Sequence, residues 1–191
     1  MRVLHVITGL EVGGAEGQLV QIAERSGHDV EVACLAGFGQ AGEELRRKGI
    51  PVFNVDVPAR YDMRVLPRLV RLMRRRRYDL VHVHLFRAAL YGPPAARLAG
   101  VPLVVYTEHT IGEEEIEGLH AGAFVRFLYR SSMRFTDHAV AVSPWVEGQM
   151  LAWGVAPGHT TVIPNGIDVD ALRFDPAART RTRSELGLPD D

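Results

Sequence analysis

The stretch Val3-Leu-His-Val-Ile-Thr-Gly-Leu-Glu-Val-Gly-Gly-Ala-Glu16 carries the first sign of the fold. Its near-continuous apolar run, Val3–Thr8, is typical of a strand that is buried on both faces of a parallel sheet. The glycine-rich turn Gly9–Gly14 ends that run, and Ala15–Arg25 follows with apolar residues at helical spacing. A strand, a glycine turn and a helix in this order predict the opening unit of an open α/β sheet.

The same alternation of apolar runs and helical patterns continues along the chain. The further predicted strands are Val30–Leu35, Val52–Val55, Leu80–Leu85, Leu103–Thr107, Ala139–Val142 and Thr161–Ile163. The further predicted helices are Ala41–Lys48, Val65–Arg77, Ala88–Ala99, Leu119–Phe135, one that begins at Ser143-Pro144, and Arg179–Leu186. We therefore expect a Rossmann-like, doubly wound α/β domain, with a mainly parallel sheet of about seven strands and helices on both faces.

Composition narrows the classes of function. The chain has 191 residues and a formal net charge of -1, which gives no basis for a nucleic-acid partner. Cys34 is the only cysteine, so an intrachain disulfide and a C-x-x-C site are both excluded. No stretch approaches the ~20 apolar residues of a membrane-spanning helix, and the start is too interrupted for a secretory signal. We expect a cytoplasmic protein.

The turn Gly9–Gly14 lies where open α/β sheets bind ligands, at the carboxyl end of a strand. It matches neither G-x-G-x-x-G nor the P-loop pattern, so it argues against NAD-type and P-loop binding. Gly13 and Gly14 at a helix start let backbone N–H groups approach an anion, which the helix dipole also favours. The alternative is a tight turn that needs glycine for its geometry only.

Histidines end two of the predicted strands. His109, after the fifth strand, suits a hydrogen bond to a sugar hydroxyl or a proton transfer, and the alternative is a structural histidine with its hydrogen bonds satisfied. His82 and His84 share one face of the fourth strand, with His82 expected under a helix and His84 nearer the strand end. Two histidines are too few for a zinc site, so we expect no metal.

Two charged stretches have ordinary interpretations as well as functional ones. The acidic stretch Ile111–Gly118 contains four glutamates, but a consecutive acidic run on a loop is usually solvated, and we expect no paired carboxylates for glycoside hydrolysis. The helix Val65–Arg77 carries most of the seven arginines between positions 64 and 77 beside an apolar stripe. It is suited to peripheral contact with an anionic membrane, at the inner face, or to packing on the sheet with a solvated basic rim.

Seven segments together resemble the N-terminal domain of glycosyltransferase family 4 enzymes, which have the GT-B fold. The segments are Gly13-Gly-Ala-Glu16, Gly27-His-Asp-Val-Glu-Val32, Tyr78-Asp-Leu-Val-His-Val-His84, Ala99-Gly-Val-Pro102, Glu108-His109, Ala139-Val-Ala-Val-Ser143 and Ile163-Pro-Asn-Gly-Ile-Asp168. They span nearly the whole chain, so the resemblance is more specific than any one motif.

The resemblance implies a retaining transfer of a sugar from a nucleoside-diphosphate sugar to an acceptor, without a cofactor and without a divalent metal in the reaction. The N–H groups around Gly13 and Gly14 would approach the diphosphate, and His109 would be the catalytic residue beside the donor sugar. The acceptor side would be lined by Glu11, His84 and Arg87.

The resemblance also implies a division of the chain. Residues 1–163 would form the acceptor-side domain, and residues 164–191 the interdomain crossing and the start of a C-terminal donor-binding domain. A GT-B site needs groups from both domains, so we expect this chain alone to be inactive. Two alternatives stay open: a nucleotide-sugar epimerase with the same sheet, and a non-catalytic binding module or subunit.

Overall fold

The computed structural model describes residues 1–55, 62–170 and 172–189, which contain nine strands and seven helices. The strands are β1 (Arg2–Ile7), β2 (Asp29–Cys34), β3 (Val52–Asn54), β4 (Leu80–His84), β5 (Leu103–Glu108), β6 (Glu115–Ile116), β7 (Leu119–His120), β8 (His138–Ala141) and β9 (Thr160–Val162). The helices are α1 (Gly14–Arg25), α2 (Gln40–Arg47), α3 (Val65–Arg76), α4 (Phe86–Ala99), α5 (Ala123–Met133), α6 (Pro144–Ala152) and α7 (Pro176–Glu185).

Seven of the described strands form one sheet in the order β3-β2-β1-β4-β5-β8-β9. Every neighbouring pair in it is parallel. The chain runs outward from β1 in one direction and resumes from β4 in the other, so the switch point of the topology lies between β1 and β4. The predicted Rossmann-like sheet is confirmed.

Two apolar clusters lie on the two faces of the sheet. On one face, α1 and α2 cover β1 and β2, with Leu19 and Leu45 fully buried. On the other face, α3, α4, α5 and α6 cover β4, β5 and β8, with Leu69 and Tyr129 fully buried. The α4 helix approaches the sheet so closely that a β-carbon on Gly92 would lie 2.8 Å from Val83 Cγ2. Helices on both faces are thus confirmed.

One half of the α1–α2 face has no described helix over it. Val105 of β5 and Val140 of β8 alternate with fully buried neighbours but are themselves only half-buried. Ile163, just beyond β9, is 53% exposed. Parallel sheets are normally covered on both faces, so this half of the face is suited to packing against another element.

The region before α5 corrects a prediction. The helix begins at Ala123 rather than at 119, because β6 and β7 form a two-stranded antiparallel hairpin there. Glu117 (φ 48°) and Gly118 (φ 71°) form its two-residue turn, and two successive positive φ values are the signature of a type I′ hairpin turn. Glu113, Glu114 and Glu115 are exposed, as expected for a solvated acidic run, whereas Glu117 is partly buried in the hairpin turn.

The segment after β9 lies along the outside of the domain. Gln18 Nε2 donates to the Gly166 carbonyl over 2.7 Å, and Arg25 forms a 3.2 Å ion pair with Asp168, so this segment contacts α1. The α7 helix begins at Pro176, three residues earlier than predicted, and buries none of its described side chains. Positions 171, 190 and 191 of the predicted crossing lie outside the described residues, and the division at 163 stays a prediction.

Candidate functional site

The start of α1 is an open helix N-terminus at the switch point. Gly13 is its N-cap in an extended conformation (φ -171°, ψ 168°) and supplies no side-chain cap, so the first N–H groups of the helix keep their capacity to bind an acceptor. A β-carbon on Gly14 would meet no atom within 4 Å. The packing of the chain does not require glycine at position 14, and the open space above it leaves room for a ligand.

A residue that sequence reasoning missed lies at this helix start. Glu16 is the third residue of α1, and a β-carbon on Gly13 would lie 2.2 Å from Glu16 Oε2. The carboxylate therefore folds back over the N-cap. An anion that reaches the N–H groups of α1 must first move the Glu16 side chain. An acidic residue in the first turn of a helix, where the helix dipole favours negative charge, was the available sequence signal.

Four histidines, which we call the histidine cluster, lie side by side on the α1–α2 face of the central strands: His5, His82, His84 and His109. His5 Nδ1 and His84 Nε2 are 2.9 Å apart, and His84 Nδ1 and His109 Nε2 are 3.1 Å apart. His82 Nε2 is 2.7 Å from Thr107 Oγ1. His109 Nδ1 is buried and has no hydrogen-bond partner among the described residues. The cluster therefore runs from the middle of the sheet to its carboxyl edge.

Sequence reasoning found three members of the histidine cluster and missed His5, which lies 77 positions before His82. In the sheet the two are register partners on neighbouring strands. His82 is half-buried, whereas His84, which was expected nearer the strand end, is fully buried. The expected position of His82 under a helix stays a prediction. One nitrogen of each of His5, His82 and His84 lies within 4.8 Å of the others.

Burial makes the histidine cluster neutral at pH 7. Desolvation lowers the pKa of His5 and of His109 from 6.5 to about 4, and it lowers the pKa of His82 and His84 well below 6.5. Because His109 Nε2 is paired with His84, a neutral His109 offers a ligand its Nδ1 alone, as an N–H donor or as a lone pair according to the tautomer. It is suited to hydrogen bonding with a hydroxyl, and it brings no positive charge to a phosphate.

Glu108 lies next to His109 in the chain but on the opposite face of β5. It is fully buried and accepts hydrogen bonds from the hydroxyls of Tyr106 (2.6 Å) and Tyr129 (3.2 Å) and from the Thr110 N–H (3.1 Å). Burial raises its pKa from 4.5 to about 7. The Glu-His pair in the sequence is therefore not an acid–base pair in the fold.

The turn from β4 into α4 brings a strained residue beside the histidine cluster. Leu85, the N-cap of α4, has φ 72° and ψ 154°, a conformation that costs a side-chain-bearing residue roughly 1–3 kcal/mol. The Glu117 carboxylate accepts hydrogen bonds from the Phe86 and Arg87 N–H groups at the start of this helix. A glutamate that was expected to be solvated thus caps α4 and fixes the turn.

The three residues expected on the acceptor side are not gathered into one cluster. Glu11 and Gly13 line a shallow pocket of about 120 Å³, and a β-carbon on Gly39 would lie 2.4 Å from the Glu11 carboxylate. His84 is held inside the histidine cluster, and the Arg87 backbone lies against Glu117. Their role at the acceptor stays a prediction.

Several arginines in and beside the helix α3 form ion pairs or hydrogen bonds within the domain. Arg64 and Arg76 form ion pairs with Asp62 (2.6 Å) and Glu31 (3.1 Å). Arg74 donates to the Leu98 carbonyl. Within the described residues, no helix is both long and apolar enough to cross a membrane.

The parallel sheet, its switch point and the open helix N-terminus beside it define a Rossmann-like domain of the kind that binds nucleotides. A family model described as Glycosyltransferase Family 4 matches residues 12–171. The chain therefore belongs to glycosyltransferase family 4.

Two curated relatives fit this assignment. A UDP-Gal:alpha-D-GlcNAc-diphosphoundecaprenol alpha-1,3-galactosyltransferase of Escherichia coli is 30% identical over 76% of this chain and 38% of its own length. A D-inositol 3-phosphate glycosyltransferase of Arthrobacter sp. (strain FB24) is 31% identical over 86% of this chain and 43% of its own length. The chain thus spans about two fifths of each relative.

Solved structures agree on the fold. Anabaena HepE in complex with UDP and glucose matches with a TM-score of 0.83 and 23% identity, over 98% of this chain and 50% of HepE. A UDP-GlcNAc 2-epimerase from Neisseria meningitidis bound to UDP-GlcNAc is more distant, with a TM-score of 0.61 and 15% identity over 96% of this chain and 51% of that one. The chain has the fold of one half of these GT-B proteins.

Proposed function

We propose that this chain forms the acceptor-side wall of a retaining glycosyltransferase that uses a nucleoside-diphosphate sugar. The observation that carries the proposal is that a helix N-terminus without a side-chain cap and a neutral histidine with a free ring nitrogen both lie at the carboxyl edge of the sheet of a family 4 domain. The first is suited to a diphosphate and the second to a sugar hydroxyl.

We propose that the donor is a uridine-diphosphate sugar. The Escherichia coli relative is named for UDP-Gal, and the HepE structures are complexes with UDP, with UDP-glucose and with UDP and glucose. The acceptors named for the relatives differ, one a lipid diphosphate-linked sugar and the other an inositol phosphate, so they support no single acceptor for this chain.

In the proposed reaction, stabilisation of the leaving diphosphate is the main work of the protein, and no divalent metal takes part. The N–H groups of Gly14 and its neighbours would stabilise the developing charge, as oriented backbone donors do in other group transfers. His109 would hold a donor-sugar hydroxyl near the reacting carbon. His84 is fully buried, so we propose that it acts by orienting His109, while Glu11 and Arg87 remain the proposed acceptor contacts.

The donor-binding wall would come from a second domain. The chain spans about two fifths of the relatives' length, and half of one sheet face lacks a described helix over it. Both observations support residues 1–163 as one domain and residues 164–191 as the beginning of the crossing.

The proposal is tested in the full-length enzyme with His109→Ala. We expect turnover with UDP-glucose or UDP-galactose to fall by about 100-fold, as for loss of one positioned hydrogen bond at a reacting group, with little change in melting temperature. His120→Ala, at an exposed histidine of β7, is the matched control and should leave turnover unchanged. A parallel fall in stability and activity would assign His109 to the structure alone.

The stereochemistry and the reaction type are read from the products. Proton NMR of the first-formed product should show the anomeric configuration of the donor. An inverted product would contradict the retaining mechanism, and a C2-epimerised nucleotide sugar without transfer would favour the epimerase alternative.

Contact of α3 with an anionic membrane is the smaller part of the proposal. Arg71 and Arg75 border a groove of about 500 Å³ with Leu66 and Val70 on the outside of α3, a pairing suited to anionic phospholipid. The chain should co-sediment with phosphatidylglycerol vesicles at low salt, and Arg71→Glu/Arg75→Glu should reduce binding. Arg47→Glu on α2 is the control, and equal binding by all variants would remove α3 from the contact.

A further inference from the structure

We propose that His5, His82 and His84 bind one divalent transition-metal ion, Zn²⁺ by ligand type, directly behind His109. Three histidines are a protein ligand set of open zinc sites, in which water takes the fourth position. The proposed ion is structural and does not contact the diphosphate, so it is compatible with a transfer reaction that uses no metal.

Strand geometry brings the three imidazoles together. His82 and His84 alternate on β4 and share a face, and His5 is the register partner of His82 on the neighbouring strand β1. Their ring centres are 5.0 Å (His5–His82), 5.2 Å (His5–His84) and 4.2 Å (His82–His84) apart. Three imidazoles on one tetrahedral zinc, with Zn–N near 2.0–2.1 Å, have ring centres about 5 Å apart.

Ion binding requires only local movement of the rings. The candidate nitrogens lie within 4.8 Å of one another, and tetrahedral ligation brings them to about 3.3 Å. His5 Nδ1 and His84 Nε2 now share a hydrogen bond of 2.9 Å. The metal would replace the proton of this bond, which would move to the other nitrogen of its own ring. Rotation of the side chains supplies the remaining approach without a change in the strands.

In two of the three histidines, the other ring nitrogen already has a partner of the kind that orients metal-bound histidines. His82 Nε2 lies 2.7 Å from Thr107 Oγ1, which leaves His82 Nδ1 for the metal. His84 Nδ1 lies 3.1 Å from His109 Nε2, which leaves His84 Nε2 for the metal. A hydrogen bond from the second ring nitrogen is the usual way in which a protein fixes the tautomer of a metal ligand.

The protonation state and access of the three histidines also suit a metal. Burial keeps the pKa of all three below 6.5, so at pH 7 each ring is neutral and has a lone pair to offer. His5 and His84 are buried, while His82 is half-buried, so His82 is the most accessible of the three ligands.

Metal binding would determine the tautomer of His109. Ligation through His84 Nε2 places the proton of His84 on Nδ1, from which it is donated to His109 Nε2. The proton of His109 then lies on Nδ1, the buried atom without a partner, as a donor for a ligand. This last step rests on the proposed function; the metal site itself does not.

The test is titration of the chelator-treated chain with Co²⁺, which substitutes for Zn²⁺ and reports its geometry by visible absorption. We expect one Co²⁺ per chain with the intense bands of tetrahedral coordination, displaced by Zn²⁺. His82→Ala should abolish the bands, with circular dichroism verifying the fold. His28→Ala, at an exposed histidine, should leave them unchanged. Absence of the bands in the unmodified chain would overturn the proposal.

Two further variants separate this ligand set from the transferase site. Thr107→Val removes the oxygen that orients His82 and should weaken Co²⁺ binding by about 10–100-fold. His109→Ala removes both the proposed sugar contact and the partner of His84 Nδ1, so it should weaken Co²⁺ binding by a similar factor while keeping one Co²⁺ per chain at saturation, since His109 is not a ligand. Loss of Co²⁺ in His109→Ala would overturn the proposed ligands, whatever the outcome of the activity assays.

Discussion

The two faces of β5 carry two buried polar clusters that differ in how completely their hydrogen bonds are made. On one face, the Glu108 carboxyl accepts from Tyr106, Tyr129 and the Thr110 N–H, and no atom of this cluster lacks a partner. On the other face, the histidine cluster ends at His109, whose Nδ1 is buried without a partner among the described residues.

This difference separates a structural cluster from one that is suited to ligands. Buried polar groups that satisfy one another stabilise a single arrangement, whereas an unsatisfied buried group carries a cost that a ligand can remove. Glu108 and His109 are neighbours in the chain, and the alternation of β5 sends them to these opposite environments. We therefore assign Glu108 to the core and His109 to the site.

The largest expected effect contrasts alanine substitutions at these two neighbours. Glu108→Ala would leave two buried tyrosine hydroxyls without their acceptor and open a cavity, so we expect a loss of about 3–5 kcal/mol in the free energy of unfolding. His109→Ala should cost about 1 kcal/mol, because one of its ring nitrogens has no partner to lose. Urea unfolding of both variants measures the contrast, and equal losses would remove the distinction between the clusters.

The pH dependence of the free energy of unfolding should report the titration of the buried Glu108 carboxyl. The pKa of Glu108 rises from 4.5 to about 7 on folding, through burial first and repulsion from Glu117 in addition. The native state therefore holds a proton that the unfolded state has lost, and this stabilisation, present below pH 4.5, disappears as pH rises through 7. The loss amounts to about 3 kcal/mol. In Glu108→Gln this fall between pH 4.5 and 7 should be absent, and an unchanged profile would contradict the assignment.

The smallest effect concerns the longer hydrogen bond to Glu108. Tyr129→Phe removes the 3.2 Å bond and keeps the ring packing against Trp153, so we expect a loss of about 1 kcal/mol. Tyr106→Phe, which removes the 2.6 Å bond, is the matched comparison and should cost more. A larger loss of stability in Tyr129→Phe than in Tyr106→Phe would contradict the expectation that the shorter hydrogen bond contributes more.

Local patterns in the sequence were sufficient for the sheet and most helices. Buried parallel strands are apolar runs, and glycine or proline marks their ends, so even α4, with Pro93 and Pro94 inside it, was found within two residues of its start. The hairpin before α5 was missed because its strands have only two residues each. Two-residue strands show no periodicity, and the sole signal was the turn Glu117-Gly118.

Two features of the site could not be predicted from the sequence, because they depend on contacts between residues that are far apart in the chain. His82 and His84 were visible as an alternating pair, but the approach of His5 depends on the register between β1 and β4. The position of Glu117 at the start of α4 likewise depends on how the hairpin folds back. Neither the approach of His5 nor the position of Glu117 produces a local sequence pattern. The glycines at the start of α1 do form such a pattern, and it was recognised.

The central claim is that the start of α1 binds the diphosphate of a nucleotide sugar, and turnover of Gly14→Val in the full-length enzyme tests it most directly. A β-carbon at position 14 meets no atom within 4 Å, so the fold should tolerate the change while close approach of the diphosphate is blocked. Gly17→Ala, one turn further and equally unobstructed, is the matched control. We predict an unchanged melting temperature for Gly14→Val with a fall in turnover of about 100-fold or more, and normal turnover for Gly17→Ala. Normal turnover of a folded Gly14→Val enzyme would contradict the account.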